Sequence, residues 1–348
     1  MGADAIGEST VCAVVLAAGK GTRMKSDKAK VLHEVFGRAM VGHVIEAVRK
    51  AGIFDVIVVV GHQQQEVMDC LLSFEVRFAV QEEQLGTGHA VMCAASLVNE
   101  KHRHIFILCG DTPLISPATL KNMERHHLSA GSVLTVMTTS LTDPANYGRI
   151  ITDQAGGIVR IVEEKDASES ERRVNEINAG IYLADREFLF TALQQVGSDN
   201  SQGEVYLTDI VAVARRDGEK VERFSCLDAS EVLGVNSRVE LAQAERRLRR
   251  GFNDELMGSG VTMQDPETTY IGRDVIIGSD SIVCANVHIA GNSALGKRCV
   301  VHPFCYIKDC SLGDDVIVEP FSYLTGQSIA AGSTVAGIPS GRRDLNCC

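Results

Sequence analysis

The sequence predicts two successive architectures: an α/β domain built on a parallel sheet, then a short β-helix of hexapeptide repeats. Three observations carry this. Short continuously apolar runs alternate with amphipathic stretches over roughly residues 11–228. Aliphatic residues then recur at six-residue spacing from Ile271 onward. The chain is 348 residues long, room for two domains at roughly 150 residues each.

The elements of the first part follow in order. Val11 to Leu16 is an unbroken apolar run, as in a strand covered on both faces, and a glycine-rich turn follows it. Residues 40–51 read as a helix, with Val44, Ile45 and Val48 on one face. Residues 55–61 are a second strand, 66–72 a helix, 77–80 a short strand and 89–97 a helix. Residues 104–108 form a strand that ends at Cys109-Gly110-Asp111. Strands alternating with helices give a parallel sheet, whose ligands collect beyond the carboxyl ends of the strands. Gly19, Gly61 and Asp111 fall there. Residues 238–257 form a charged helix with Leu241, Leu248, Phe252 and Leu256 on one face. Arg246, Arg247, Arg249 and Arg250 are expected to be its solvated face.

The repeat runs through Ile271, Ile277, Val283, Ile289, Leu295, Val301 and Ile307. After a gap of five it resumes at Leu312, Val318 and Leu324, and after another at Ile329 and Val335. Each hexad supplies one short strand and a corner, with the aliphatic side chain inward. Three hexads per turn give about four coils. Stacked coils need caps or partners, so assembly through this part is expected. His288 and His302 are expected at corners of the coil. The implied division is a tail at 1–10, the α/β domain at 11–237, a linker helix and connection at 238–264, the β-helix at 265–341 and a tail at 342–348.

Composition excludes several classes of function. There are 34 Lys and Arg against 45 Asp and Glu, for a formal charge of -11. Non-specific nucleic-acid binding rests on phosphate neutralisation, so no nucleic-acid partner is expected. Eleven cysteines, an odd number without zinc-type spacing, read as free thiols of a reducing cytosol. No apolar run reaches the ~18 residues of a membrane helix. No positive charge precedes the first apolar stretch, so neither a membrane anchor nor a secretory signal is expected. The expected location is cytoplasmic.

The turn after the first strand reads Leu16-Ala17-Ala18-Gly19-Lys20-Gly21-Thr22-Arg23-Met24. Two glycines allow a ligand close to the backbone, and several N–H groups can converge on phosphate oxygens. Arg23 offers a planar charged fork and Lys30 a second cation. The loop is not a dinucleotide fingerprint, because Met24 stands at the third glycine position. It is not a Walker loop, because Gly21 follows Gly19-Lys20 where Ser or Thr belongs. On spacing alone, a structural turn carrying two surface cations remains an alternative.

Further motifs follow in order. They are Gln81-Glu82-Glu83-Gln84-Leu85-Gly86-Thr87-Gly88-His89-Ala90 and Cys109-Gly110-Asp111-Thr112-Pro113-Leu114-Ile115, then Asn146-Tyr147-Gly148-Arg149-Ile150. After these come Ile161-Val162-Glu163-Glu164-Lys165-Asp166-Ala167, Glu176-Ile177-Asn178-Ala179-Gly180, Gln202-Gly203-Glu204-Val205-Tyr206-Leu207-Thr208-Asp209 and Gly234-Val235-Asn236-Ser237-Arg238. Together with the first loop and Lys30 they resemble the sugar-1-phosphate nucleotidyltransferases. More narrowly, they resemble the bacterial bifunctional N-acetylglucosamine-1-phosphate uridylyltransferase/glucosamine-1-phosphate acetyltransferase family.

That resemblance implies a Rossmann-like nucleotidyltransferase domain followed by a left-handed parallel β-helix. It implies that UTP and N-acetylglucosamine 1-phosphate react to give UDP-N-acetylglucosamine and pyrophosphate. It further implies Mg²⁺ held by Asp111 and Asn236, with Arg23 and Lys30 as the catalytic cations on the triphosphate. Leu16, Ala17, Ala18, Gly19, Gly21, Gln81, Gln84, Gly86 and Thr87 would bind the nucleotide. Gly148, Glu163, Asn178, Tyr206 and Thr208 would contact the sugar. A homotrimer through the β-helix is also implied.

The chain departs from the family pattern at Ala29, where proline is usual, at Cys109, where tyrosine is frequent, and at Ala179, beside Asn178, where threonine is usual. Its β-helix is about half the family's usual length, and neither His288 nor His302 sits in an acetyltransferase motif. Residues 336–341 resemble the exit loop of hexapeptide acyltransferases. Acetyl transfer is expected to be absent. Two other readings stay open: another sugar 1-phosphate or nucleotide as substrate, and a non-catalytic nucleotide-sugar sensor.

Overall fold

The computed structural model describes residues 10–337. Residues 1–9 of the first expected tail, residues 338–341 of the exit loop, and the second expected tail with Cys347 and Cys348 lie outside the described residues. Backbone contacts group the chain into two compact units. One holds residues up to 241 apart from 35–37, and the other holds 35–37 together with residues from 242 on.

In the first unit the strands are β1 (Val11–Leu16), β2 (Val56–Val60), β3 (Arg77–Val80), β4 (His104–Cys109), β5 (Leu134–Ser140), β6 (Arg149–Thr152), β7 (Ile158–Val162), β8 (Glu176–Asp185) and β9 (Val221–Ser225). The helices are α1 (Met40–Lys50), α2 (Gln64–Cys70), α3 (Thr87–Cys93), α4 (Pro117–Ala130), α5 (Arg186–Leu193) and α6 (Ile210–Arg216). The nine strands form one sheet in the order β9-β5-β8-β4-β1-β2-β3, with β6 joined to β8 and β7 joined to β6. β1 lies between β2 and β4 and is parallel to both.

Alternate residues of β1 explain its unbroken apolarity. Val11, Ala13 and Val15 pack with α1 and α4 residues such as Val44, Ile45 and Leu120. Cys12 and Val14 pack on the other face with Val91, Leu189 and Ile210. A strand between two helical layers has no solvent face on which to place polar residues.

Two details differ from the sequence reading. The helix expected at 89–97 begins at Thr87, ends at Cys93 and is followed by a single 3-10 turn at Ala95–Leu97. The sheet is mixed, because β8 runs antiparallel to both β4 and β5. Between β5 and β8 lie only the β6–β7 hairpin and one 3-10 turn. Without a crossover helix the chain returns antiparallel.

The second unit is a left-handed parallel β-helix of three sheets, with five, four and four strands. Its register steps by 18 residues, as in Tyr270↔His288 and Ile276↔Ala294, so one coil takes three hexads. Across the shortened hexad the step is 17, as in Tyr306↔Tyr323. The inward aliphatic residues from Ile271 through Leu324 are all buried, and Ile329 and Val335 are partly buried against the same core.

The helix α7 (Arg238–Gly258) matches the expected charged helix, with one correction. Arg246 and Arg247 are exposed and Arg250 partly so, but Arg249 is only 6% exposed. Its guanidinium lies 3.8 Å from the centre of the Tyr270 ring, and its Nη1 donates to the carbonyl of Glu267 at 3.0 Å. The ring face and the carbonyl replace the water that a buried cation loses. His288 also differs from expectation. It lies within a strand, His288–Ala290, not at a corner, and its ring stacks between Tyr270 and Tyr306.

Among the described residues all nine cysteines are free thiols. No helix there is long and apolar enough to cross a membrane.

Candidate active site

The site begins where β1 ends. Gly110 N donates to Leu16 O at 2.9 Å, and Ala17 N donates to Val59 O at 2.8 Å, so the tips of β1, β2 and β4 are tied together. The chain then leaves the sheet through Gly19 and Gly21. A side chain added at Gly19 would meet nothing within 4 Å, so its backbone stands open. Gly21 differs on both counts. Its φ is +61°, and an added Cβ would lie 2.4 Å from Lys30 Cβ. Gly21 is therefore the residue against which Lys30 is packed.

Lys30 Nζ donates to Asp111 Oδ2 and, at 3.0 Å, to Asn236 Oδ1. Arg23 Nη2 donates to the same Asn236 oxygen at 2.8 Å. Asn236 is itself held, since its Nδ2 donates to Gly234 O at 2.9 Å and its backbone N to Glu240 Oε2 at 2.6 Å. Val235 N donates to Asp111 O at 2.8 Å, which ties the loop to the end of β4. Four residues singled out from the sequence thus converge from positions 23, 30, 111 and 236. Tyr147 joins them unforeseen. Burial pushes its phenol up to about 12, with the carboxylates of Glu240 and Asp111 adding to this and Arg23 and the Gly234 backbone opposing it.

The donor set suits a hard divalent cation. One carboxylate oxygen and one amide oxygen converge on a single ammonium position. Gly234 leaves the space beside them clear, since a Cβ there would stand 3.3 Å from Asp111 Oδ2. Mg²⁺ takes few protein oxygens and completes its shell with water and phosphate.

A cleft of about 380 Å³ adjoins this cluster. Leu16, Ala17, Ala18, Gly19, Lys30, Gln81, Gln84, Gly86, Thr87 and Asp111 line it, as do Lys20, Val31, Ala90, Cys109 and Glu204. Lys20 and Glu204 both lay inside the sequence motifs, Lys20 between the candidates Gly19 and Gly21 and Glu204 two residues before the candidate Tyr206, and that proximity was the available signal. Gly21, Arg23, Asn236 and the five sugar-side candidates do not line this cleft.

The 81–88 segment forms one wall. Gln81 is 3% exposed, and its Nε2 donates to Gly86 O at 3.0 Å and lies 3.1 Å from His89 Nδ1. Its amide nitrogen therefore shapes the loop. Gly86 has φ +108°, and a Cβ there would lie 2.5 Å from Val205 O. Gly88 N donates to Val205 O at 2.8 Å, and Thr87 Oγ1 accepts from Leu207 N at 3.0 Å. The turn that carries Gly86 and Thr87 is thus tied to Val205 and Leu207 on either side of Tyr206.

The remaining candidates gather around Glu163. A Cβ on Gly148 would lie 3.5 Å from both Glu163 carboxylate oxygens. Burial raises the Glu163 pKa, the Thr208 hydroxyl beside it lowers it, and Asp209, Asp166 and Glu204 raise it further. Asn178 N donates to Gly148 O at 2.9 Å, and its Nδ2 donates to Tyr182 OH at 2.6 Å. Cys109, also on the cleft wall, has its thiol pushed up to about 12, by burial first and the Asp111 carboxylate next. It is neutral at ordinary pH and donates to Gly180 O at 3.6 Å.

Comparison with known proteins bears on this geometry. Residues 13–174 match the MobA-like NTP transferase domain. The chain is 46% identical to the "Bifunctional protein GlmU" of Desulfotalea psychrophila over 328 residues, 94% of this chain and 97% of that one. It is 46% identical to the protein of the same name from Geotalea uraniireducens over 317 residues, 91% of this chain and 69% of that one. A crystal structure from Bacillus anthracis, assigned as a glucose-1-phosphate thymidylyltransferase, shares the fold with a TM-score of 0.55 at 20% identity, covering 68% of this chain and 94% of its own. With that identity across nearly the whole of one relative, the chain belongs to the GlmU family and is a sugar-1-phosphate nucleotidyltransferase.

Proposed function

We propose that the chain catalyses Mg²⁺-dependent transfer of the uridylyl group from UTP to N-acetylglucosamine 1-phosphate, releasing pyrophosphate. The observation that carries this reading is the convergence of Arg23, Lys30, Asp111 and Asn236 beside the cleft formed by the first loop and the 81–88 segment.

An oxygen of the sugar phosphate attacks the α-phosphorus of UTP in line, and the bond to the β-phosphate oxygen breaks as pyrophosphate leaves. The nucleophile is already an anion, so the site needs no general base. Its task is to bring two anions together and stabilise the charge gathering on the leaving group. Arg23 and Lys30 neutralise the triphosphate, and the open backbone at Gly19 lets its oxygens approach the loop. Gln84, Gly86 and Thr87, with the ordered Gln81, receive the uracil. Gly148, Glu163, Asn178, Tyr206 and Thr208 receive the sugar and its acetamido group. Asp111 and Asn236 hold Mg²⁺, which when bound supplies Lewis-acid polarisation of the phosphates.

Acetyl transfer forms no part of the proposed activity. In the β-helix His288 is stacked between tyrosine rings, and burial lowers its pKa. The proposed assembly is a homotrimer through the β-helix, and the proposed location is the cytoplasm. Phosphorus NMR of a mixture of UTP and N-acetylglucosamine 1-phosphate tests the reaction by its products. Pyrophosphate and a sugar-linked diphosphate appearing in equal amounts is the expected outcome. Hydrolysis of UTP without the diphosphate, or no change, would refute it.

A further inference from the structure

We propose that Arg149 is a positioning residue: its buried guanidinium clamps together the two segments that carry Gly148 and Glu163, and so sets the sugar pocket. The proposal rests on the sugar-side reading above. Arg149 is 2% exposed and is the largest fully buried side chain among the described residues. It lies on β6, directly opposite Val162 on β7. Its Nη1 donates to Tyr147 O, and its Nη2 forms an ion pair with Glu164 Oε2 at 2.8 Å. One planar group thus grips the residue before Gly148 and the residue after Glu163.

The chemistry argues against a filler. Burying a guanidinium is costly unless it is paired, and its neighbours Ile150 and Ile161 show that apolar residues suit this hairpin. An arginine offers two donors in a fixed fork, whereas a lysine offers one charged point. Glu164 is further fixed by Arg172, whose Nε lies 3.6 Å from the other carboxylate oxygen.

The geometry that depends on the clamp is narrow. A Cβ on Gly148 would lie 3.0 Å from Ile161 Cγ2 and 3.5 Å from the Glu163 carboxylate, so a small slip of either segment closes or widens that notch. The third sugar-side segment follows, because Asn178 N donates to Gly148 O. Tyr147 carries the same constraint toward the Gly234 backbone of the Asp111–Asn236 cluster.

The test uses Arg149→Lys in the full chain, with Glu164→Gln as a milder variant on a side chain that is 31% exposed. Arg149→Lys is expected to raise KM for the sugar 1-phosphate about tenfold or more while KM for UTP stays within about twofold. Glu164→Gln keeps an acceptor oxygen and is expected to shift the same KM a few-fold. Hydrogen exchange supplies a readout apart from turnover. The amides of Asn178 and Asp166, which bond to Gly148 O and Glu163 O, are expected to exchange about tenfold faster in either variant, and that of Gly88 is not. A fall in Tm with both KM values unchanged, or unchanged exchange at Asn178 and Asp166, would overturn the clamp. If the unaltered chain turns over no sugar phosphate, the functional reading fails, and the exchange pattern still decides the clamp. Should Arg149→Lys fail to fold, Glu164→Gln carries the same comparison.

Discussion

Replacing Gly21 by alanine separates the two glycines of the first loop by what each does. At Gly21 the φ of +61° is left-handed, and an alanine Cβ would lie 2.4 Å from Lys30 Cβ. Ordinary contact begins at about 3.4 Å, so the loop and Lys30 must part by about 1 Å. The left-handed backbone costs about 1–2 kcal/mol for a residue with a Cβ, a fall in Tm of a few degrees for a unit of this size. The larger effect is on the site, because Lys30 is bonded to both Asp111 and Asn236. A misplacement of about 1 Å costs on the order of 10²-fold in rate, or about 2.7 kcal/mol of transition-state stabilisation. The assay is pyrophosphate release, with kcat and KM measured for each substrate, alongside a thermal melt. Gly19→Ala is the control. It meets nothing within 4 Å, so its Tm should match that of the unaltered chain, while its KM for UTP rises because the loop backbone is screened from phosphate. The reasoning fails if Gly21→Ala retains full kcat/KM, or if Gly19→Ala is as destabilised as Gly21→Ala.

Asp111→Asn keeps the shape and removes the carboxylate charge. We expect kcat/KM to fall by at least about 10²-fold and the Mg²⁺ titration to shift upward by about tenfold or more, and an unshifted titration would remove Asp111 from the metal site. His127 is 1% exposed, bonded to Thr135 and His104, and its pKa is lowered to about 4, by burial first and the His104 charge next. Its neutral form is the folded form, so its contribution is complete above pH 6.5 and is lost as pH falls from there toward about 4. At ~1.4 kcal/mol per pH unit this amounts to about 3 kcal/mol. Denaturant melts of the unaltered chain and His127→Gln across that window should differ in pH slope, and equal slopes would contradict the assignment. Ile307→Ala opens a cavity in the β-helix core, where Ile307 is 0% exposed, and should cost about 2–5 kcal/mol by thermal or denaturant melting.

Much of the fold was legible because its signals are periodic. The hexads mark the inward rung of each coil, and β1 and β2 betray two-sided burial by lacking polar residues. Candidate site residues were legible as motifs, but spacing alone left the first loop ambiguous. What local pattern conceals is tertiary pairing. Arg249 looks like its exposed neighbours, and only the fold brings Tyr270 and two carbonyls against it. His288 resembles a corner residue until three tyrosines align with it along one sheet. Gln81 reads as a nucleotide-binding amide, yet its nitrogen lies against Gly86 O and His89 Nδ1. Tyr147 and Arg149 stood in a quoted motif without a role, since nothing in the sequence reveals that one reaches residues 111 and 234 and the other residue 164.

The central claim is a metal-dependent uridylyl transfer to an acetylated amino-sugar phosphate. Pyrophosphate release from UTP, measured with N-acetylglucosamine 1-phosphate, glucosamine 1-phosphate and glucose 1-phosphate, each with and without Mg²⁺, tests it most directly. The account predicts release that requires Mg²⁺ and is fastest with the acetylated sugar. Release that is indifferent to Mg²⁺, or that favours glucose 1-phosphate, would contradict it.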